Sequence, residues 1–435
     1  MSRVLEASES ASHILQQNSH NHNGLWHSKI YIAWFTADTA SAAGAAFRAI
    51  AISLVGYAIS GSTISAGWLG TASMMAQQAS SLFGGTFVDR HDRGKLIIVN
   101  AFAGVLAWGI VAVLLATHTL TFLMLFTISM LASSINGFLG CATDAVLRSI
   151  IDIQNYPRAR SLNEGRDATI SMLGGPAGGF LYGVNPWLPF AVSSILYAVS
   201  GAAAFHMHAG TLAHTRQGTV SISNPRNSFI HDLLEGWSWS FSRKTIVIIL
   251  SAASLVNFGV NGIQYTIQLH LVSAGTNATL VGFISGGISL SMLLGSALAA
   301  KFSNGIPSGI TACLAFIFIC VCAIPMTFTD QYWAILIANS LMGLPFPIIN
   351  AMLLGFVFAK SPARMQGRIA VTLTVPAQLL STFCSGIAGM LLPILAFKST
   401  LLVFGMVLVV GAAIAITSPS IRRIPRPSQW SQITI

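Results

Sequence analysis

Residues 245–300 read TIVIILSAASLVNFGVNGIQYTIQLHLVSAGTNATLVGFISGGISLSMLLGSALAA, 56 residues without one Asp, Glu, Lys or Arg. A helix needs ~20 apolar residues to cross the hydrocarbon core of a bilayer. The stretch therefore holds two crossings joined by a short uncharged turn. Stretches 96–143 and 168–215 are equally free of charge at 48 residues each, and 302–329 and 369–397 each leave room for one crossing. Of the 435 residues, 54% are hydrophobic and 8% charged, against ~25% charged in an ordinary soluble domain. That is too little charge to cover a water-soluble surface, so the fold must face lipid.

Working outward, apolar runs bounded by Gly, Pro or charge predict twelve spans: 30–58, 64–88, 96–116, 120–150, 163–183, 188–207, 246–272, 280–300, 308–328, 332–358, 368–395 and 400–417. The expected fold class is all-α, a polytopic membrane protein with two pseudo-symmetric six-helix bundles. The expected organisation is a cytoplasmic tail (1–29), a first bundle (30–207), a cytoplasmic loop (208–245), a second bundle (246–417) and a second cytoplasmic tail (418–435). The first 29 residues are polar, with no apolar run of the kind a cleavable signal needs. With both termini inside, 20 of the 22 Lys and Arg residues fall on the inner side; Arg48 lies within the first span and Lys398 outside. This is the positive-inside pattern, and it expects a multi-pass protein of the cell membrane. It also accounts for the net charge of +10 without nucleic acid.

The loop after the second span reads Gly84-Gly85-Thr86-Phe87-Val88-Asp89-Arg90-His91-Asp92-Arg93-Gly94-Lys95. Gly85 is expected to let a helix approach closely. Asp89 is expected to cap a helix end or pair with Arg90, Arg93 or a neighbouring terminus, a cluster suited to holding two helices in one of two arrangements. The loop resembles the signature of the major facilitator superfamily. Residues 295–301, GSALAAK, keep its glycine and one base, and the chemistry around Pro157-Arg158 returns around Pro362-Ala363-Arg364, as transporter pseudo-symmetry expects. Within the superfamily the chain is similar to the bacterial drug, macrolide and siderophore exporters. The resemblance implies alternating access in a monomer, with Gly85, Asp89, Arg90 and Arg93 as the conformational switch. Antiporters of the superfamily carry a Gly-Pro motif where span five has Gly174-Gly175-Pro176-Ala177-Gly178-Gly179. One residue separates proline from the paired glycines here, where that motif has two. Gly175, Pro176 and Gly179 read equally as a hinge or as close packing around a kink.

Ionisable groups inside a bilayer are costly and mark function. Asp38 and Arg48 share the first span, roughly 15 Å apart along the axis and about 80° apart around it. Both can face a central cavity, and they are the candidates for coupling to H+. The alternatives are a structural carboxylate at Asp38 and a snorkelling arginine at Arg48. On span seven, Asn257, Asn261, Gln264 and Gln268 form a stripe within about 60°. It lines a substrate path or bonds another helix. Asn136 joins the substrate-binding candidates, ahead of Gln77, Gln78, Asn339, Asn350 and Gln378. Asp144, Arg148 and Asp152 read as a salt-bridged helix end rather than a proton relay. Trp237 and Phe241 before Arg243 suit an interfacial helix, a linker before a gate.

Other classes are weaker. The five cysteines lie in apolar segments without disulfide or zinc spacing, and His20, His22 and His27 sit in a polar tail, so no metal is expected. No cofactor is expected either. Gly94-Lys95 follows Asp89 where a phosphate loop needs glycine, which argues against ATP-driven pumping. No catalytic constellation stands out, so the chain is not expected to be an enzyme. The expected partners are a small amphipathic substrate, H+ and lipid. The expected activity is proton-coupled export; an importer of sugars or other metabolites, or a non-transporting membrane sensor, are the alternatives.

Overall fold

The computed structural model describes residues 25–88, 91–151, 155–214, 237–238, 240–302, 306–361 and 378–432. These residues form helices and turns with no strand among them. The helices are α1 (Lys29–Ser60), α2 (Thr63–Val88), α3 (Arg93–Ala116), α4 (Phe122–Leu139), α5 (Cys141–Ile150), α6 (Tyr156–Val184) and α7 (Leu188–His214). The second half adds α8 (Lys244–Ser273), α9 (Ala278–Phe302), α10 (Ser308–Phe328), α11 (Tyr332–Gly343), α12 (Phe346–Ile349), α13 (Gly355–Lys360), α14 (Cys384–Thr417) and α15 (Pro419–Arg422). Nine helical runs among the described residues are long and apolar enough to cross a membrane. Backbone groups in lipid must bond internally, which helices do and open sheets do not. Outer faces carry large exposed apolar side chains, among them Phe328 (78% exposed), Ile394 (72%) and Leu123 (70%), suited to lipid rather than water.

Local chemistry sets the ends. Ser28 caps α1 by accepting from the Tyr31 amide at 3.3 Å, and Gly61 ends it at φ 63°, a left-handed conformation that glycine adopts without Cβ strain. Asp92 caps α3, accepting from the Gly94 and Lys95 amides at 3.0 and 3.3 Å. Three regions carry irregularities inside or between the predicted spans. Span four is one helical run, Phe122–Leu147, with a turn at Gly140 between α4 and α5. Span ten is likewise one run, Tyr332–Lys360, with a turn at Leu344-Pro345 and a π-helical stretch, Asn350–Leu354, before α13, because two prolines interrupt the backbone ladder. Spans eleven and twelve are two helices that meet at a non-helical kink at Ala396 (φ 59°), and the label α14 covers both. Residues 362–377, the start of predicted span eleven, lie outside the described residues, as do residues 1–24 and 215–236.

In the first half α1 packs on α6 and α7, α3 on α7 and α2 on α4; in the second, α8 packs on α14, α9 on α11 and α10 on α11 and α14. Two seams join the halves, α6 with α9 and α2 with α14. Association in lipid depends on close packing and interhelical bonds; the α6–α9 seam shows the first and the α2–α14 seam both. A Cβ on Gly175 would fall 2.6 Å from the Gly282 carbonyl oxygen, and one on Gly286 2.7 Å from that of Met172. Across the other seam Thr63 donates to the Gly389 carbonyl (3.1 Å), Thr71 to that of Thr382 (3.1 Å) and Gln78 to the Thr382 hydroxyl (2.7 Å). Arg93, Lys244 and Arg422 begin or end helices at one end of the molecule, the basic end. The turns at Gly61, Gly275 and Ala396 mark the other, the hairpin end. Thr63 and Ala278, in the first turns of α2 and α9, take part in these contacts, with Gly389 and Gly179, so both seams reach the hairpin end.

Candidate functional site

Between the halves lies a cavity of about 510 Å³, lined from α1, α2, α4 and α6 on one side and α8, α9 and α14 on the other. Its polar lining includes Arg48, Gln77, Asn136, Asn261, Gln264 and Gln268. Gln77 donates to the Asn136 amide oxygen at 3.3 Å, and the Tyr265 hydroxyl reaches Met74 Sδ at 3.5 Å across the cavity. Three of the four amides of the span-seven stripe thus meet Asn136 in one space. Asn257 does not line it. Its amide donates to the Ala253 carbonyl at 2.9 Å, one turn back on its own helix. It shares the stripe's angle, but the cavity begins a turn further along α8.

Arg48 is held on aromatic faces, its guanidinium 4.3 Å from the Trp108 ring centre and 5.3 Å from that of Tyr197. It donates to the Ser193 hydroxyl at 3.1 Å and the Tyr197 hydroxyl at 3.3 Å. It does not snorkel out, and it does not meet Asp38.

Asp38 opens instead into a second pocket of about 410 Å³, lined also by Asp144, Arg160, Asn163, Arg166 and Asp167. The two spaces share Ala45, Ala46 and Ser171 as walls, so the second pocket adjoins the cavity from the basic end. Arg166 of α6 pairs with Asp38 at 2.5 Å and with Asp167 at 2.8 Å. It lies over the Phe35 ring at 5.2 Å and donates to Thr39 at 3.4 Å. The Asp38–Arg166 pair is largely shielded, at 22% and 10% side-chain exposure. Removing one partner of such a pair leaves an uncompensated charge. Asp144 pairs with Arg160 at 3.3 Å, which brings α5 to α6; the Arg148 side chain and Asp152 lie outside the described residues. The buried Asn163 keeps its amide oxygen without a partner in this pocket.

Sequence reasoning passed over Arg166, Trp108, Tyr197 and Asn163. Arg166 reads as one more base on the inner side, and nothing local ties it to Asp38, 128 residues away.

Asp89 and Arg90 of the expected switch lie outside the described residues. Gly85 is exposed with open space where its Cβ would be, which corrects the expected close approach. Its neighbour Gly84 makes that approach, against the Phe138 backbone, because one residue turns the helix face by about 100°. Arg93 donates to the Ala145 carbonyl at 3.1 Å, tying α3 to α5. Gly174 and Gly178 face α1, while Gly175 and Gly179 face α9. The motif around Pro176 is therefore packed tightly on both sides. The rings of Trp237 and Phe241 meet at a tilt, 5.6 Å between centres, just before α8.

Two helical halves around a polar cavity, with ionised side chains set inside the bundle, define a multi-pass membrane transporter fold. The chain belongs to the Major Facilitator Superfamily, whose profile matches residues 35–375. Among solved structures it is similar to a bacterial homologue of the iron transporter ferroportin in the inward-facing state (TM-score 0.66, 12% identity, 89% of this chain and 98% of that one). It is also similar to a bacterial homologue of the human lysosomal transporter Spinster, inward-facing and unoccupied (TM-score 0.63, 12% identity, 93% and 98%). A third is the nucleoside transporter NupG (TM-score 0.61, 12% identity, 89% and 100%). At this identity the likeness is one of fold. No curated protein matches the sequence.

Proposed function

We propose that the protein is a secondary active transporter of the cell membrane that exports an amphipathic small molecule in exchange for H+ by alternating access. The observation that carries this is the pairing of two adjoining spaces. One is an amide-rich cavity between the halves whose lining carries no carboxylate among the described residues; the other holds the shielded Asp38–Arg166 pair toward the basic end. Asp38 is the proton carrier in this reading. When ionised it holds Arg166 and ties α1 to α6. When protonated it releases Arg166, and the contacts of α6 with α1 and α9 loosen together. With both termini cytoplasmic, contact of the halves at the hairpin end makes this the inward-facing state. The motif around Gly175, Pro176 and Gly179 sits where the halves must part for the cavity to open outward. The switch residues Asp89, Arg90 and Arg93 would tie the halves at the basic end in the opposite state.

The test has two steps. A sensitivity screen of cells lacking and overproducing the protein, against anionic, neutral and cationic amphipathic fluorophores, selects a transported compound. Everted vesicles with an imposed pH gradient then measure its uptake. Gradient-driven accumulation is expected, falling about tenfold or more in Asp38→Asn while gradient-free exchange persists. Accumulation only in right-side-out vesicles would make the protein an importer. Full gradient-driven transport in Asp38→Asn would end the proton role.

A further inference from the structure

Arg48 is the only charged residue among the described residues that line the central cavity. No carboxylate among the described residues pairs with it, whereas the basic side chains Arg160, Arg166 and Lys398 all have acidic partners. Of the five N–H groups an arginine carries, two are used, toward Ser193 and Tyr197. The guanidinium cannot shed its charge by losing a proton, and a lone cation at this depth is costly. Its aromatic seat on Trp108 and Tyr197 fixes the plane of the fork, which suits two-point bonding to a carboxylate. Ser73, also on the cavity wall, has a hydroxyl without a partner.

We infer that the cavity recognises a monoanionic amphiphile whose carboxylate docks on Arg48. This rests on the cavity being the substrate site, and it names the substrate's charge. One cation in a partly dry space balances one negative charge; a dianion would leave an excess, and a cation would be repelled. The amides of Gln77, Asn136, Asn261, Gln264 and Gln268 would bond neutral polar groups. Ile50, Ile52 and Met74, also on the wall, would take the apolar body. Arg48 thereby moves from proton coupling to binding.

The test is equilibrium binding to the purified full chain in nanodiscs, without any gradient. The probes are naphthaleneacetate, naphthaleneacetamide and naphthylethylamine. The carboxylate is expected to bind roughly tenfold or more tightly than the amide, the size of one charge-assisted bond, and the amine more weakly still. Arg48→Gln should erase this preference, bringing carboxylate affinity down to that of the amide. Arg48→Lys keeps the charge and should retain most of the preference, which guards against a variant that fails to fold. Equal or tighter binding of amide or amine, a preference that survives Arg48→Gln, or no binding of the carboxylate overturns the inference. A carboxylate that binds through Arg48 but is not moved by a pH gradient would instead sink proton-driven export and leave the anion site standing.

Discussion

Asp38 and Arg48 share one helix, and their surroundings differ in kind. Asp38 sits in a crowded, compensated pocket, where Arg166 answers it and Asp167 and Asp144 stand close by. Arg48 sits in a cavity whose lining carries no carboxylate among the described residues, steadied by rings and hydroxyls that carry no charge. A paired charge can change partners when a proton arrives. An unpaired, permanently charged group can only wait for a counter-ion. The difference assigns coupling to one and binding to the other.

The largest effect should come from breaking the pair. Arg166→Ala strands a shielded carboxylate and should cost about 3–5 kcal/mol, read as a large fall in melting temperature in detergent. Arg48→Ala leaves no charged partner behind, only the hydroxyls of Ser193 and Tyr197, and should cost less. Equal losses would erase the contrast, and the double variant Asp38→Asn with Arg166→Gln should recover most of the stability.

Next comes closure. Gly282→Leu places bulk against the α6 backbone and should destabilise the closed seam by roughly 1–3 kcal/mol. Labelling of a cysteine at Gln264 by an impermeant maleimide from the hairpin side should then rise about tenfold, with no rise for Gly85→Leu, which has open space. Trp108→Leu removes the ring beneath Arg48, a contact of ~0.5–2 kcal/mol. Naphthaleneacetate binding should weaken severalfold while amide binding holds. The smallest effect sharpens the cavity's edge. Asn261→Ala should weaken binding a few-fold, at ~1 kcal/mol per neutral hydrogen bond, whereas Asn257→Ala should not change it.

Much of this was legible in the chain because lipid punishes charge. The uncharged stretch 245–300 placed α8 and α9 within a few residues of their observed ends, and the amide spacing on α8 found three true cavity residues. The turns at Gly140 and Leu344 inside spans four and ten were not legible, because the chain stays apolar through them and hydropathy does not sense backbone geometry. Asn257 has the stripe's angle but not its depth, and periodicity reports only angle. Arg166 is one basic residue in a basic stretch, and only the fold brings it to Asp38. The seat of Arg48 needed Trp108 and Tyr197 from two other helices, and neither carries a polar signature in sequence.

The separation of the two charges is tested most directly by measuring binding and gradient-driven movement of naphthaleneacetate side by side in Asp38→Asn and Arg48→Gln. The account predicts a crossing. Asp38→Asn keeps the carboxylate preference and loses gradient-driven movement; Arg48→Gln loses the preference, while the gradient still drives whatever neutral amphiphile it binds. If both variants lose both properties to the same degree, the two charges act as one unit and the division of labour is wrong.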